Sequence, residues 1–336
     1  MTFSTPSLDS LLGQMAVVSI PLETDFRGIR HREVALLRGP NGPGEWAAFT
    51  EYDDEEAAWW LSTALEQAFG DQASPNVQSV PVNAIVPALP VEQVAPWLER
   101  FPGVTAVKVK IAQAGESLRD DIARVREVRR VCGDEVLLRL DVNAAWDVDT
   151  ATQAIDALTP FSLDYVEQPV ASSAEMRELA DRLGGRVRLA ADELIRRSRS
   201  LELVEEGVCD VAIIKPSPLG GYARAASLAS EALERGLEVI VSSALETSVG
   251  LTHAASVAGW VNATTGKNTA HGLATGSLLS SDVTEKPLLP QGGAIHPHPL
   301  RLDHGAIDRV RASQDRVEWW RARLERCLPR ALELAG

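Results

Sequence analysis

Six residues able to move protons or hold a cation fall in or at the ends of consecutive apolar runs. They are Lys108 and Lys110 in AVKVKIA, Asp141 in EVLLRLDVN, Glu167 in LDYVEQP, Asp192 in RLAADE and Lys215 in VAIIKPS. Such β-branched runs read as strands. Strand side chains alternate between faces, so Lys108 and Lys110 project from one face while Val107 and Val109 take the other. Taken alone, two lysines on one face also suit an edge strand protected against pairing, and a single carboxylate after a strand is a common helix cap. Three carboxylates on consecutive runs, flanked by lysines on both sides, are hard to explain as capping.

The chemistry of such a set is coherent. Three carboxylates converging in a partly buried site repel one another unless a cation joins them. Oxygen donors without His or Cys select Mg²⁺ or a similar ion such as Mn²⁺ over zinc. Three protein ligands leave positions for a substrate carboxylate, and the ion would stabilise the enediolate formed when a proton leaves the adjacent carbon. The base must be neutral when it attacks. A lysine beside another lysine and near a divalent ion has its pKa pushed down, and Lys110 and Lys215 would bracket the substrate. Ser242 and Ser243, ending EVIVSSA, offer hydroxyls to a carboxylate or keto oxygen, or are ordinary strand-end hydroxyls. Near the N-terminus, TDFRGIRHRE is either a solvated basic loop or a lid whose Phe26 and Arg27 face the substrate.

The elements that must position these groups follow a strand–helix repeat of roughly 25–30 residues. Eight apolar runs, from NAIVPAL to TAHGLAT, alternate with helical stretches such as ESLRDDIARVREVRRVCG. That pattern predicts an α/β fold, a closed parallel barrel with helices outside and its active site at the C-terminal strand ends. An open doubly wound sheet is the alternative, but no glycine-rich phosphate loop follows the first run. Residues 1–80 read differently: MAVVSIPL, REVALLRG and EWAAFTEY are three strands, followed by a helix capped at Asp53 and ending at Gly70. This is an α+β cap on the barrel of residues 81–280. Residues 281–336 turn proline-rich and then amphipathic, and should pack back on the cap or barrel.

The bulk numbers agree. A chain of 336 residues with 45% hydrophobic content suits a large barrel or two domains. A net charge of -14 disfavours a nucleic-acid partner, while a few pocket lysines still suit a small carboxylate substrate. No apolar run is long enough for a bilayer and no secretory signal is apparent. Cys132, Cys209 and Cys327 lack metal-ligand spacing and read as reduced thiols of a cytoplasmic protein. His253 and His271, in apolar surroundings, read as structural. His296, His298 and His304 lie in the tail, and Glu246 near the mouth. Trp59, Trp60, Trp319 and Trp320 are expected to pack cap against tail.

The ordered motif KxK, D, E, DE, K behind an α+β cap resembles the enolase superfamily, in its muconate-lactonizing subgroup. The resemblance covers nearly the whole chain. It implies a modified (β/α)7β TIM-type barrel, and makes Asp141, Glu167 and Asp192 the metal ligands, Lys110 the base, Lys108 its neighbour and Lys215 the lysine across the site. Asn143 and Glu193 match accompanying polar positions. Four stretches, FRGIRHRE, VKVKIA, LAADELIRR and SSALETSVGL with HGLATGSLL, are most similar to the dehydratases of menaquinone biosynthesis within that subgroup. Their substrate would be 2-succinyl-6-hydroxy-2,4-cyclohexadiene-1-carboxylate. The N-acylamino acid racemases and dipeptide epimerases of the same superfamily share the metal site and both lysines. A third reading is a barrel that binds a small carboxylate without turnover, which has no need of a tuned base.

Overall fold

The computed structural model describes residues 6–26, 28–70 and 77–335. After a short helix α1 (Leu8–Gln14), strands β1 (Ala16–Phe26), β2 (Ile29–Gly39) and β3 (Gly42–Trp46) form an antiparallel sheet in that order. The third strand is shorter and earlier than EWAAFTEY suggested, because a tight turn at Asn41 starts it at Gly42 and residues 47–52 run on as irregular chain. The basic segment after β1 is likewise a hairpin rather than a long loop: Phe26 pairs with Ile29. Arg27 lies outside the described residues. Helix α2 (Asp54–Phe69) starts where Asp53 accepts the Glu56 N–H, and Gly70 ends it. A Cβ at Gly44 would run into the Ala64 carbonyl, so that glycine lets α2 lie directly on the sheet.

A two-residue strand β4 (Val80–Pro81) leads into the barrel. There, β5 (Ala84–Val86), α3 (Val91–Leu98), β6 (Ala106–Lys110), α4 (Leu118–Cys132), β7 (Leu137–Asp141), α5 (Val148–Leu158), β8 (Leu163–Glu167), α6 (Ser173–Leu183), β9 (Arg188–Ala191), α7 (Glu193–Ser198) and β10 (Val211–Ile214) follow in turn. Helices α8 (Pro216–Leu219) and α9 (Tyr222–Glu234), strand β11 (Glu238–Val241) and α10 (Ser248–Thr265) complete the repeat. Strands β5 to β11 form one parallel sheet in sequence order. The eighth run, TAHGLAT, is not a full strand. It contributes only His271, bridged to Val82, and Gly272, bridged to Ser242, and these two bridges close the ring.

Strand alternation sorts the side chains. Tyr165, Ala190, Val211, Ile213 and Ile240 form their own buried cluster, whereas alternate residues such as Val107, Leu138, Val166 and Ala212 join the larger core. Two layers therefore form, one inside the barrel and one beneath the helices. The tail returns through β12 (Ala294–Ile295), paired with β4, then α11 (His304–Arg309) and α12 (Gln314–Ala335). Helix α12 packs on the cap, where Trp320 meets Trp46 edge-on at 4.9 Å.

Two cap glutamates lock cap to barrel by capping barrel helices. Glu45 accepts the N–H groups of Thr247 and Gly250 at 3.0 and 2.8 Å at the start of α10. Glu66 accepts the Tyr222 N–H at 2.6 Å at the start of α9. Among the described residues no helix is long and apolar enough to cross a membrane.

Candidate active site

Parallel register aligns the chemistry in one row. Lys110 on β6 pairs with Asp141 on β7, which pairs with Glu167 on β8. Asp192 follows β9, Lys215 follows β10, and Ser242 and Ser243 follow β11. Pleat alternation puts Lys108 on the same side, one layer deeper. All of these lie at the C-terminal strand ends beneath the cap.

The groups are tightly paired. Lys108 Nζ donates to both Glu167 carboxylate oxygens at 3.0 and 3.1 Å and lies 3.3 Å from Asp141. Lys110 Nζ is 2.7 Å from Asp141 Oδ2 and also donates to Asn143 Oδ1. Asn143 Nδ2 donates to Glu193 Oε1 at 3.1 Å. Lys215 donates to Asp192 Oδ2. Burial would raise the Asp141 carboxyl, but Lys110, Lys108 and Lys215 outweigh it and hold it far below the usual range. Burial pushes Glu167 up to about 8, the charges of Asp141 and Asp192 adding to it and Lys108 opposing. Burial lowers Lys110 from its ordinary value, Asp141 offsetting part of this and Lys108 adding to it. Burial also acts to lower Lys108 and Lys215, but their carboxylate partners win and both are raised.

Among the described residues no three His, Cys, Asp or Glu side chains stand together as a ready-made metal cluster, since the carboxylates are turned toward lysines. The donor set nevertheless fits a hard divalent cation. Asp141 Oδ1 and Asp192 Oδ1 are buried without a hydrogen-bond partner. The row holds carboxylate oxygens and no His or Cys, and the crowding of three carboxylates is relieved when an ion draws them together.

Above this row lies a cavity between barrel and cap. Lys108, Lys110, Asp141, Asn143, Glu193 and Lys215 line it, with Ser242, Ser243 and Phe26 from the opposite walls. Glu167 and Asp192 sit behind the lining, held by Lys108 and Lys215. The Phe26 ring stands 5.4 Å from Lys110 Nζ. The two serines reach the cavity, but the Ser243 hydroxyl donates to Gly272 O at 2.9 Å and meets Thr275 Oγ1 at 2.6 Å.

Sequence reasoning missed the cap's share of the lining: Phe49, Tyr52 and Trp60. The sequence places Trp60 between cap and tail; in the structure its ring meets Phe49 and Tyr52 of the cap. Arg196 of α7 was missed too, and so was Gln168, a buried residue at the end of β8. A polar residue beside the motif glutamate was the available signal. His271 is structural as expected, whereas His253 is buried beside Tyr222 with its Nδ1 3.4 Å from Glu66 Oε2. His271 Nδ1 accepts the Val241 N–H at 3.0 Å and its Nε2 meets Asn262 Oδ1 at 3.2 Å. Glu246 stays outside the lining and accepts the Ala244 N–H.

Several non-glycine residues at this mouth adopt left-handed backbone: Ala112, Asn143, Ala144, Gln168 and Leu245. Each follows a barrel strand. Such conformations persist only where the surroundings over-determine them. Buried Arg32, from the cap, donates to Leu245 O at 3.1 Å and stacks on Phe49 at 3.9 Å, so it ties the last of these turns to the cap.

Known proteins are similar to this chain in sequence and in fold. Residues 91–301 match the enolase C-terminal domain-like family and residues 17–68 the enolase N-terminal domain-like family. The o-succinylbenzoate synthase of Mycobacterium ulcerans (strain Agy99) is 40% identical, with 98% of each chain covered. Among solved structures, the muconate cycloisomerase of Pseudomonas fluorescens superposes with a TM-score of 0.71 at 20% identity, over 89% of this chain and 98% of that one. The L-Ala-D/L-Glu epimerase of Bacillus subtilis gives 0.68 at 20% identity, over 86% and 96%. At those identities the structural likeness concerns the fold alone. With the full-length similarity and the matching two-part fold, this chain belongs to the o-succinylbenzoate synthase family of the enolase superfamily.

Proposed function

We propose that the chain dehydrates 2-succinyl-6-hydroxy-2,4-cyclohexadiene-1-carboxylate to o-succinylbenzoate and water, in menaquinone biosynthesis. The observation that carries this reading is the 40% identity to an o-succinylbenzoate synthase over 98% of both chains. The row of lysines and carboxylates supplies chemistry that suits it.

Lys110 Nζ takes the proton from the ring carbon that bears the carboxylate. The C–H electron pair enters the ring, the bond to the ring hydroxyl breaks, and hydroxide leaves with its pair. Lys110 then passes its proton to the hydroxide, so the balance is aromatic product and water. Burial beside Lys108 favours the neutral amine that this step needs. Asp141, Glu167 and Asp192 would hold Mg²⁺ or Mn²⁺, whose charge offsets that accumulating on the substrate carboxylate as the proton leaves. Lys108 keeps Glu167 and Asp141 in place. Lys215 presents a cation to the opposite ring face, worth roughly 1–2 kcal/mol when desolvated. Ser242, Ser243 and Phe26 contact the substrate, and Phe26 covers Lys110. The partner is a small carboxylate, and the three free cysteines suit the cytoplasm.

Lys110 and Lys215 both line the cavity, which also suits inversion next to a carboxylate. A racemase of N-acylamino acids, or a dipeptide epimerase, is therefore the second reading. The test is loss of diene absorbance with the cyclohexadiene carboxylate and Mg²⁺, by wild type and by Lys110→Ala. Turnover by wild type alone supports the assignment. No turnover moves the reading to the epimerase, checked by deuterium uptake at the α-carbon of N-acylamino acids. Turnover that survives Lys110→Ala makes Lys215 the base.

A further inference from the structure

We propose that the indole N–H of Trp60, backed by Arg196, receives the terminal carboxylate of the substrate's succinyl arm and sets which arm is accepted. This rests on the dehydratase reading above and adds a specificity residue to it.

The first observation is an unpaired donor. Trp60 is 1% exposed, yet its Nε1 has no hydrogen-bond partner. Other indoles of the protein are satisfied: Trp46 donates to Ala57 O at 2.9 Å, Trp97 to Ile85 O at 2.7 Å and Trp320 to Glu33 at 2.9 Å. A buried indole N–H normally finds an acceptor. Trp60 differs in that it lines the active-site cavity, where a ligand can supply one.

The second observation is what surrounds it. Phe49 and Tyr52 hold the indole edge-on and tilted, with centroids at 6.0 and 6.2 Å. Arg196 lies 5.5 Å over the Tyr52 ring, and only its Nη1 is engaged, by Glu56 at 3.0 Å, so its other guanidinium N–H groups are without a hydrogen-bond partner among the described residues. This corner combines apolar walls, one donor and one cation, which fits a short acyl arm ending in a carboxylate.

The third is the division of labour around the cavity. Among its described lining residues with an unpartnered buried side-chain atom, Asp141 Oδ1 and Glu193 Oε2 are acceptors and Trp60 Nε1 is a donor. The acceptors suit a cation, and the donor suits an anion or carbonyl. The lysine amines are already engaged by carboxylates, and Asn83 and Asn143 donate to Ala84 O and Glu193. A substrate with two carboxylates needs two unlike receptors, and the cavity offers them on different walls.

The experiment follows indole N–H resonances of ¹⁵N-labelled full-length protein in Mg²⁺ buffer. The ligands are o-succinylbenzoate and 2-butyrylbenzoate, in which a methyl group replaces the terminal carboxylate. Trp60→Phe assigns the resonance. With o-succinylbenzoate the Trp60 proton should move downfield, and with 2-butyrylbenzoate it should not. Trp60→Phe should weaken o-succinylbenzoate about tenfold or more, the loss expected for a hydrogen bond to a charged group, and leave 2-butyrylbenzoate within about twofold. Arg196→Met, at a half-buried position, should lower affinity with the same arm dependence and covers the case in which Trp60→Phe folds poorly. An equal response to both ligands, or equal weakening of both, overturns the proposal. If wild type turns over the cyclohexadiene carboxylate while Trp60 ignores the arm, this inference alone fails. If wild type neither turns it over nor binds either benzoate, the dehydratase reading fails with it.

Discussion

The Gln168 side-chain carbonyl accepts the backbone N–H of Asp192 at 3.0 Å, and that of Leu194 at 3.2 Å. Its amide donates to Val170 O at 2.8 Å. One buried side chain thus sets the backbone from which Asp192 projects. Replacing it with Met leaves two buried N–H groups unpaired, at about 1–3 kcal/mol each. Gln168→Met should unfold at lower urea and bind Mg²⁺ more weakly than wild type, as read by calorimetry. Unchanged Mg²⁺ affinity would remove Gln168 from the positioning of Asp192.

Among the described residues, Lys108 is the sole hydrogen-bond partner of the two Glu167 carboxylate oxygens. Lys108→Met strands a buried carboxylate, and breaking such a pair from one side costs about 3–5 kcal/mol. The variant should melt well below wild type in EDTA and recover part of the loss in excess Mg²⁺. Recovery in EDTA alone would mean that Glu167 needs neither lysine nor cation.

Wild type itself should gain stability from Mg²⁺, by about 2.7 kcal/mol at a hundredfold excess over the dissociation constant. Asp141→Asn and Asp192→Asn should abolish that gain. Chelation that leaves turnover intact would contradict the ligand assignment.

Lys215 is predicted to serve as a cation rather than a second base. Lys215→Met should end any epimerisation of N-acylamino acids and retain some dehydration. Equal loss of both activities would contradict those roles.

Stability should fall in acid because of His271. Burial, with Arg139 adding to it, lowers its pKa from 6.5 to about 3. The unfolded chain therefore takes up a proton that the folded chain refuses. The stabilisation is full above pH 6.5 and is lost as the pH falls toward 3, by about 5 kcal/mol in total. Glu45 acts in the opposite sense: burial raises it from 4.5 to about 7, so its contribution is full below pH 4.5 and is lost as the pH rises to 7. The two oppose each other between pH 4.5 and 6.5, so urea unfolding of wild type and His271→Gln between pH 4 and 8 separates them: the variant should lose stability steadily as the pH rises from 4.5 to 7, where wild type stays nearly level up to pH 6.5.

Much of the barrel was legible because its information is local. Alternation in AVKVKIA and EVLLRLDVN reports one face of a strand, and the position of each polar residue at the end of its run reports the catalytic face. The register that sets Lys110 beside Asp141 and Glu167 follows from a parallel sheet taken in order. The cap's contribution was not legible. Trp60 looks like any apolar helix residue until α2 is docked, and its docking depends on Glu45, Glu66 and Gly44 meeting distant partners. The pairing of particular lysines with particular carboxylates is likewise settled in space, and so is the shortening of TAHGLAT to two bridges, because Gly272 and His271 are held from both sides.

That closing seam bears on how the protein comes to be folded. Val82 and His271 stand at opposite ends of the barrel's chain, and joining them carries the loop-closure entropy of everything between. The seven ordered strands can zip pairwise from neighbour to neighbour, and the entropy of closing so long a loop is lowest once they have, so the seam is expected to form last. The Ser242–Ser243 wall hangs on the same seam, through the Gly272 carbonyl. A refolding chain should therefore acquire its barrel helices before it can hold a ligand, with the last kinetic phase reporting ring closure and the birth of the cavity together.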